Sequence, residues 1–394
     1  MSENPTLHTV KPREQNGRDS FSCYKAQIRS AAIASLSILE GKDIDRIYCD
    51  FHDDFVVRKH NDDGVRYIFF QVKTKDKQNK NWAINDIIGI NPKKSADKQD
   101  ANKIKDSFIG KLLLHTINFD DICQSVVFQT NINNSDDAED FFYDLKKNNF
   151  ENKFIKILIE KFNEIFKEEI NEIFDIDSIK EKLKKLESDT DVEYLKKNKD
   201  SFEPLVRSRI YKFSEIDLNH DECKQIIIKL LDLVEVKSSG VIAEITKESI
   251  EEFAGISITD LLEILSITYG AYQILLAGGD ESAIKNASII QRALSASGAS
   301  NETIEYCSRC KSEWDLWLRK ARHNVSEFDL EMILSEIREI LKHSVNYGSY
   351  LDFKMLKKPI KDFYKNIITE GNIYGLNENF ILGGVISEYV RVNS

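Results

Sequence analysis

The sequence contains no apolar run that approaches the ~18 residues of a membrane-spanning helix. Its N-terminal stretch, MSENPTLHTVKPREQNGRDS, is polar and carries no apolar signal-peptide core. A Walker-type GxxxxGK(S/T) loop and the motifs HExxH, GxSxG and GxGxxG are also absent, so the chain shows none of these signatures of nucleotide binding, zinc proteolysis or serine hydrolysis. We expect a water-soluble, cytoplasmic protein that has no membrane partner.

Cysteine is sparse, with six residues in a chain of 394. The six are widely spread, which indicates reduced thiols rather than a disulfide framework. Cys307 and Cys310 form one half of a zinc-ribbon spacing, but the second CxxC or His pair is absent. We therefore interpret them as two thiols at helical spacing rather than as a zinc site.

Lysine is concentrated toward one end of a chain whose net charge is −11. Residues 1–118 contain 20 Lys and Arg against 16 Asp and Glu, and the remainder contains 35 against 50. A basic region can neutralise the phosphates of a nucleic acid, although a solvated lysine-rich face gives the same composition. The side chains that we expect to contact DNA phosphates are Lys75, Lys77, Lys80, Lys93 and Lys94.

The first third of the chain alternates helix and strand signals. After a polar tail at 1–19, which we expect to be disordered, apolar and small residues recur at helical spacing. The sequence NDDG is typical of a hairpin turn between the second and third strands. A fourth strand follows a helical crossover and is expected to pair in parallel at the other edge of the sheet. The predicted order is helix (21–39), three strands (45–51, 54–59, 65–73), helix (103–117) and strand (124–130).

Beyond about residue 135, helical periodicity dominates, and neither a strand-rich segment nor a fixed repeat is evident. Amphipathic helices of this kind either pack as core faces or form an interface with a partner. The fold class that we predict is an α/β N-terminal domain followed by a mainly α-helical C-terminal region. The predicted helices are 154–174, 179–186, 222–236, 258–276, 283–294, 302–321 and 327–343.

One group of polar residues stands at the ends of two adjacent strands. Asp54 begins the second strand, and Gln71 and Lys73 end the third, so an antiparallel hairpin brings the three together. A carboxylate, an amide oxygen and an ammonium group suit metal-assisted cleavage of a phosphodiester. The alternative from the residues alone is a salt bridge from Lys73 to Asp53 or Asp54 that merely closes the strand end.

The cofactor that suits this group is Mg²⁺, or Mn²⁺ in its place, because Mg²⁺ prefers hard oxygen ligands and commonly takes only one or two carboxylates. Asp54 is the first candidate ligand, the Gln71 side-chain carbonyl is the second, and the Val72 backbone carbonyl is the third. We expect Lys73 to orient the attacking water and to stabilise the developing charge.

An acid near the start of the second strand, and (D/E/Q)-x-K on the third, resemble the PD-(D/E)XK nuclease superfamily. The resemblance is closer to the Cap4-type double-stranded DNA endonuclease domain of bacterial anti-phage effectors, including those of CBASS and Lamassu systems. It covers roughly residues 12–135, with a weaker similarity to about 236. It implies a restriction-endonuclease-like α/β domain with the order helix, three strands, helix, strand. The segments that carry it are GRDSFSCYKAQIRSAAIASLSIL, DFHDDFVV, FFQVKTK, NWAINDII, SFIGKLLLH and VVFQTN.

The resemblance also implies roles for individual residues. It makes Asp54 the metal-binding acid, Gln71 the acid-replacing ligand and Lys73 the catalytic lysine. A glutamine in place of the usual Glu or Asp removes one negative charge, which weakens the case for two bound metals. Some branches of the superfamily add an acid from the first helix, for which Glu40 is the candidate here.

Three further polar residues lie close to the same strand end. Asp50 and Asp53 are second-rank acids. His52 would point to the opposite face from Asp53 in an extended chain, so we interpret it as structural or as a phosphate contact rather than as the general base.

The acidic, helical C-terminal half does not resemble the cyclic-oligonucleotide sensor that follows the nuclease domain in CBASS effectors of this kind. It is more similar to the helical tails of nuclease subunits that dock onto an ATPase, either the SMC-like subunit of Lamassu or a HerA-type hexamer. The organisation that this implies is a nuclease domain (20–140), a helical extension of it (141–240) and a helical interaction or oligomerisation domain (241–394).

The resemblance implies double-stranded DNA as the substrate, a partner ATPase that releases the activity, and a homo-oligomer as the active state. One competing hypothesis is a catalytically silent DNA-binding or scaffold subunit with a degenerate nuclease fold. Another is a helical interaction protein whose N-terminal domain is an adaptor. Metal-dependent nicking of DNA separates the first hypothesis from the other two.

Overall fold

The computed structural model describes residues 16–41, 43–62, 64–75, 80–196, 201–213, 220–345, 351–369 and 375–393. The chain divides into two compact units, each of which has a buried apolar core of its own. The first unit comprises Met1–Val206 and Leu230–Ser257, and the second comprises Arg207–Lys229 and Ile258–Ser394. As predicted, an N-terminal α/β region with a mixed sheet precedes a mainly helical remainder.

A six-stranded mixed sheet organises the first unit. Its strands are β1 (Ile44–Phe51), β2 (Asp53–Asn61), β3 (Gly64–Lys73), β4 (Cys123–Thr130), β5 (Leu186–Asp189) and β6 (Gly255–Ile256). Their order across the sheet is β5-β4-β3-β2-β1-β6. The β6-β1-β2-β3 part is antiparallel, whereas β4 runs parallel to β3, and β5 runs parallel to β4.

Helices cover both faces of this sheet. The helices with described residues in the first unit are α1 (Asn16–Ser35), α2 (Ile84–Ile88), α3 (Ala101–Lys105), α4 (Phe108–Asn118), α5 (Asp136–Lys146), α6 (Lys153–Ile165), α7 (Ile176–Lys184) and α10 (Lys247–Phe253). Two more, α8 (Phe202–Phe213) and α9 (His220–Ser239), contribute residues to both units. Short 3₁₀ helices span Leu36–Glu40, Ala96–Lys98, Asp120–Ile122 and Glu193–Leu195.

The buried faces of the strands explain how the two helical layers are placed. Val56 and Phe69 share one core with Leu112 of α4. Their neighbours along each strand point to the opposite face, because side chains alternate along a strand, and α1 contacts β1, β2 and β3. Ala31 and Ala32 of α1 are fully buried, so the small residues of this helix allow it to approach the sheet closely, as predicted.

Two strands were not predicted, and one predicted placement is wrong. The strand β4 is not at the edge of the sheet, because β5 lies beyond it. Only Leu186 is buried in the four residues of β5, and β6 has two residues, so neither shows the alternation that marks a strand. Tertiary pairing defines both strands, not local sequence.

Several helix bounds also differ from the prediction. The helix predicted at 154–174 ends at Ile165, and the one predicted at 103–117 is two helices, α3 and α4. Ser107 separates these two by capping α4, since its Oγ accepts a hydrogen bond from the Gly110 N–H. A Cβ on Gly110 would lie 2.1 Å from the Ile104 carbonyl oxygen, so the tight α3–α4 corner requires glycine. Helix α1 begins at Asn16, inside the predicted tail, and residues 1–15 lie outside the described residues.

The described residues of the second unit are almost entirely helical. Its helices are α11 (Ile258–Ile264), α12 (Tyr269–Ala277), α13 (Ala283–Ala296), α14 (Asn301–Asn324), α15 (Glu327–Ser344), α16 (Phe353–Thr369) and α17 (Glu378–Asn393). The single helix predicted at 258–276 is interrupted, and Ser266 adopts a left-handed φ of 57° between α11 and α12. Cys307 and Cys310 are both buried on α14, in agreement with thiols at helical spacing. None of the described helices is long and apolar enough to cross a bilayer.

Candidate active site

The hairpin of β2 and β3 brings Asp54 and Gln71 to the same place. The ladder between these strands ends at the pair Phe55–Phe70, and one further step along both strands leads to Asp54 and Gln71. The two strands are therefore no longer paired to each other where these polar residues begin. The Asp54 carboxylate instead accepts a hydrogen bond from the Val72 N–H, at 2.6 Å from Oδ2.

Asp54 is held by donors from three directions. Its Oδ2 atom also accepts from Lys73 Nζ at 3.0 Å, and its Oδ1 atom accepts from Gln27 Nε2 at 2.6 Å. The side chain of Asp54 is only 14% exposed and that of Lys73 is 26% exposed. Asp54 and Lys73 therefore meet in a partly enclosed site, as the sequence predicts.

Burial raises the pKa of the Asp54 carboxyl above its ordinary value, although Lys73 and the Val72 N–H act in the opposite direction. Desolvation disfavours the ionised form of an acid, and the nearby Asp53 adds to this effect. The contacts of the Asp54 carboxylate with Lys73 and the Val72 N–H therefore do not fully offset the cost of removing it from water. A second cation at this point would stabilise its ionised form.

Gln71 provides the clearest indication of an unfilled interaction. Its side chain is buried, at 7% exposure, and its Oε1 atom has no hydrogen-bond partner among the described residues. A buried acceptor without a partner costs on the order of 1–3 kcal/mol. A hard cation bound between this oxygen and Asp54 would remove that cost, because amide and carboxylate oxygens are ligands that Mg²⁺ accepts.

The candidate ligands fit Mg²⁺ or Mn²⁺ only as a metal site with few carboxylates. Among the described residues, no group of three or more His, Cys, Asp and Glu side chains is placed to hold a metal ion. One carboxylate, one amide oxygen and a backbone carbonyl still suffice for Mg²⁺ when water and a substrate phosphate complete its shell. The residues present therefore fit one cation, whose coordination shell water and the substrate phosphate would complete.

Gln27 is a member of the site that the sequence reasoning missed. It lies on α1, and its Nε2 donates the hydrogen bond to Asp54 Oδ1. Glu40 ends the 3₁₀ helix after α1, roughly 20 Å from Gln27 along the axis at a rise of 1.5 Å per residue. The signal for Gln27 was its position on the apolar stripe of α1, between Tyr24 and Ala31, where a polar residue is unexpected.

Asp53 and His115 form a second polar pair that the sequence reasoning missed. His115 Nε2 lies 3.1 Å from Asp53 Oδ2, and both side chains are nearly buried. Asp53 Oδ1 accepts a hydrogen bond from the Asp54 N–H at 2.9 Å, so this pair fixes the backbone that carries Asp54. The His115 ring also stacks on Phe69, with centroids 4.4 Å apart. The sequence signal that could have revealed this pair is a histidine, His115, on the buried face of α4.

The other polar residues near the strand end, His52 and Asp50, both have a positive φ. His52 adopts a left-handed φ of 67°, so the premise that it sits in an extended chain is wrong. Its ring contacts Phe119 at 5.0 Å, and burial together with His115 lowers its pKa. Asp50 also has a positive φ, and burial and Asp53 raise its pKa.

The lysines expected to contact DNA differ in their surroundings. Lys75 Nζ pairs with Asp86 at 3.1 Å and lies 3.7 Å from the centroid of the Trp82 ring. Lys80, Lys93 and Lys94 are exposed, and Lys77 lies outside the described residues. The exposed lysines are accessible to a polyanion, whereas Lys75 also pairs with Asp86 and contacts the Trp82 ring.

The part of the chain that contains the candidate site matches a known protein family. Residues 15–238, more than half of the chain, match the sequence profile described as the Cap4, dsDNA endonuclease domain. The chain belongs to this family. The match contains every residue of the candidate site, from Gln27 to His115. A comparison with curated proteins finds no match.

Three solved structures of one receptor have a weak likeness to this chain. The Acinetobacter baumannii Cap4 SAVED/CARF-domain containing receptor with the cyclic trinucleotide 3′3′3′-cAAA is 10% identical, with a TM-score of 0.34 over 61% of this chain and 43% of that one. The same receptor with 2′3′3′-cAAA is 11% identical, with a TM-score of 0.35 over 76% and 59%. Without a named ligand it is 10% identical, with a TM-score of 0.35 over 76% and 60%. The chain thus spans less than two thirds of the length of this receptor.

Proposed function

We propose that the protein is a metal-dependent endonuclease that hydrolyses phosphodiester bonds in double-stranded DNA, with Asp54, Gln71 and Lys73 as its active site. Membership of the Cap4 dsDNA endonuclease domain family supports the reaction. One structural observation supports the site. Lys73 Nζ lies 3.0 Å from Asp54 Oδ2, and Gln71 Oε1, at the same strand end, is buried with no hydrogen-bond partner in the described parts of the chain.

Three oxygens of this chain would hold Mg²⁺ or Mn²⁺: an Asp54 carboxylate oxygen, Gln71 Oε1 and the Val72 carbonyl. The N–H and C=O groups of one strand residue face the same neighbouring strand, and the Val72 N–H already meets Asp54. Held there, a divalent cation would supply charge to neutralise the scissile phosphate and would lower the pKa of an attacking water.

Lys73 is the positively charged side chain that the protein contributes to the proposed active site. Its ammonium group lies beside the carboxylate and 5.7 Å from the Phe108 ring centroid, so its position is constrained from two sides. In the reaction it orients the water and stabilises the negative charge that develops on the phosphate oxygens. Gln27 and the Val72 N–H keep the Asp54 carboxylate in place during this step.

We extend the proposal to the fold of the first unit and to the roles of the segments along the chain. The first unit is a restriction-endonuclease-like domain whose core is α1, β1–β3, α4 and β4. Residues 20–140 are the nuclease domain, residues 141–240 extend it, and residues 241–394 serve interaction or oligomerisation. The exposed Lys80, Lys93 and Lys94, together with Lys75 and Lys77, contact the phosphates of the duplex.

We also propose a role for the nuclease as a cytoplasmic effector of a bacterial anti-phage system. Unrestrained cleavage of DNA would kill the host, so a partner must hold the enzyme silent. That partner is an ATPase of the SMC-like Lamassu type or of the HerA type, and its release or assembly brings copies of this chain together. Homo-oligomerisation supplies two sites, one for each strand of the duplex.

The test is cleavage of supercoiled plasmid by the purified full-length protein in Mg²⁺, Mn²⁺ or EDTA. Lys73→Ala is compared with Lys156→Ala, which changes an exposed lysine on α6 of the same unit. We expect metal-dependent cutting that falls by about 10²-fold or more in Lys73→Ala, the usual loss for one group that stabilises a transition state. Lys156→Ala should cut within about twofold of the wild type, because exposed ion pairs contribute little.

Two outcomes would contradict the proposal. If cutting persists in EDTA, or if Lys73→Ala cuts DNA as well as the wild type does, this site is not the metal-dependent centre. Salt-sensitive binding of DNA without cutting, both in the absence and in the presence of the partner ATPase, would favour the catalytically silent subunit. The single acid and Gln71 would then be signs of a degenerate site.

A further inference from the structure

The connection between α2 and α3 contains a polar loop at residues 91–98, with the sequence NPKKSADK, which we name the lysine loop. It is anchored on both sides, because Ile90 before it and Ile104 beyond it are buried in the core of the first unit. Its three lysines are Lys93, Lys94 and Lys98, and all three are exposed. The loop therefore holds positive charge on a segment whose flanks are fixed.

Gln99 closes the lysine loop from the inside. Its Nε2 atom donates hydrogen bonds to the carbonyl oxygens of Asn91 and Lys94, both at 2.9 Å, and its Oε1 atom accepts one from the Asn91 N–H, also at 2.9 Å. Gln99 is only 7% exposed, so its amide is removed from water and needs these partners. Within the described part of the chain, every hydrogen bond of this side chain goes to the lysine loop.

The loop is also constrained by its own sequence. Pro92 has its φ fixed at about −65° by its ring. Asn91 Oδ1 accepts a hydrogen bond from the Lys93 N–H at 3.0 Å, and the Asn91 carbonyl accepts one from the Lys94 N–H at 3.1 Å. A polar segment that reads as an irregular connector in the sequence therefore has a defined shape.

The charge that this surface presents is positive. Residues 91–103 contain four lysines and two acids, Asp97 and Asp100, which leaves a net charge of +2. Asp100 caps α3 by accepting from backbone N–H groups, and Lys103 binds an uncharged partner, Asn85 Oδ1. None of the three loop lysines forms an ion pair with a residue that the structure describes. Their charges are therefore available to a negatively charged partner.

Helix α2 ties the lysine loop to the strand that carries the candidate site. Lys75, two residues beyond Lys73, pairs with Asp86 of α2 at 3.1 Å. Only Gly89 and Ile90 separate the end of α2 from the loop. Duplex DNA carries one negative charge per about 1.7 Å of its axis, so a duplex that binds at the candidate site presents phosphates to the neighbouring surface as well.

We propose that the lysine loop is a preformed part of the DNA interface, with Gln99 as its positioning residue. The three loop lysines, Lys98 included, contact the phosphates of the duplex. Because Gln99 holds the loop in one shape before DNA arrives, binding loses less conformational entropy than it would with an unconstrained loop. This inference rests on the proposed function, since it takes duplex DNA as the partner.

The first test measures the affinity for a labelled duplex by fluorescence anisotropy over a series of salt concentrations, in EDTA to prevent metal-dependent cutting. Gln99→Ala removes the three hydrogen bonds and leaves every lysine in place. We expect it to weaken binding about tenfold, as when binding has to fix the backbone of roughly one more residue, with the slope of log K against log salt unchanged. Lys98→Ala should instead make that slope shallower by about 0.9. Gln124→Ala, at an exposed glutamine of β4, is the control.

The second test reports on the loop without DNA. Trypsin cleaves after lysine where the backbone opens, and the cleavage rate follows the population of the open form. Gln99→Ala should therefore be cut between residues 93 and 99 about tenfold faster than the wild type, and Gln124→Ala should not. If Gln99→Ala does not fold, Gln99→Met, which keeps the length of the side chain, takes its place in both tests.

The positioning role of Gln99 is overturned if its loss leaves both the duplex affinity and the trypsin cleavage rate at the wild-type values. An unchanged salt slope in Lys98→Ala removes Lys98 from the interface. These failures differ from a failure of the proposed nuclease. A protein that shows the expected affinities and slopes but never cuts plasmid in Mg²⁺ contradicts the nuclease activity and supports the loop inference. A protein that cuts plasmid, and whose Gln99→Ala variant behaves as the wild type, contradicts the loop inference alone.

Discussion

Gln27 Nε2 donates a hydrogen bond to Asp54 Oδ1 at 2.6 Å and so ties the first helix to the first residues of β2. The two residues are 27 positions apart in the chain. Because the opposite oxygen of Asp54 accepts from Val72 and Lys73, Gln27 sets the orientation of the carboxylate.

Replacing Gln27 should therefore impair the site without unfolding the protein. A hydrogen bond to a charged group contributes roughly 1.5–3 kcal/mol, so we expect Gln27→Ala to weaken Mn²⁺ binding about tenfold or more. Gln124→Ala changes an exposed glutamine of β4 and is the matched control. Titration calorimetry with Mn²⁺ measures both, and equal affinities for wild type and Gln27→Ala would contradict the positioning role.

Gln71 should show a conflict between stability and function. Gln71→Met keeps the length of the side chain but removes the buried acceptor, for which the described part of the chain offers no partner. We expect the free energy of unfolding of the metal-free protein to rise by about 1 kcal/mol, and metal-dependent cleavage to fall. Urea unfolding in EDTA measures the first effect. A metal-free protein destabilised by Gln71→Met would show that Oε1 has a partner in solution, and the argument for a cation ligand would fail.

Glu251 should give the first unit part of its acid sensitivity. Its carboxylate is partly buried, which alone raises its pKa, but Tyr48, Arg46 and Arg58 bind it and hold the pKa below the ordinary value. A depressed folded-state pKa stabilises the fold above the unfolded value of about 4.3. That contribution is lost as the pH falls through the folded-state pKa.

The expected result is that Glu251→Gln lowers the free energy of unfolding by roughly 1–2 kcal/mol at neutral pH. The difference from the wild type should shrink toward pH 3, and urea unfolding between pH 7 and pH 3 measures it. Glu248→Gln, on the same helix, is the control. A difference that stays constant over this range would mean that Glu251 acts through packing and not through its charge.

Lys93 and Lys94 should contribute to DNA affinity in a way that depends on salt. Each phosphate contact releases a counter-ion and adds about −0.9 to the slope of log K against log salt. The double variant Lys93→Ala/Lys94→Ala should make that slope shallower by about two, and fluorescence anisotropy with a labelled duplex measures it. Lys153→Ala/Lys156→Ala removes two exposed lysines from α6 as the control. Equal slopes for the two double variants would exclude Lys93 and Lys94 from the DNA interface.

The part of the site that could be predicted from the sequence is the part that depends on local pattern. Strand alternation and the turn signal at NDDG define the β2–β3 hairpin, and its geometry is sufficient to bring Asp54 to Lys73. The bounds of β1, β2 and β3 lie close to the predicted ones for the same reason.

The remaining parts depend on contacts between distant segments. Gln27 and His115 reach the strand end only because α1 and α4 pack on opposite faces of the sheet, and neither residue lies near Asp54 in the sequence. The short strand β5 exists because β4 offers it a partner, since only Leu186 of its residues is buried. Glu40 was named as a candidate acid only through the resemblance to some branches of the superfamily, and the helix rise places it far from Gln27 along the helix axis.

The most direct test of the central claim, that Asp54 and Gln71 hold a divalent cation, is Fe²⁺-directed cleavage of the protein itself. Fe²⁺ replaces Mg²⁺, and ascorbate with peroxide then cuts the polypeptide beside the bound iron, whatever the activation state of the enzyme. We predict fragments that end near residues 54 and 71–73, that diminish with excess Mg²⁺, and that are absent in Asp54→Asn. Cuts elsewhere in the chain, or cuts unchanged in Asp54→Asn, would contradict the account.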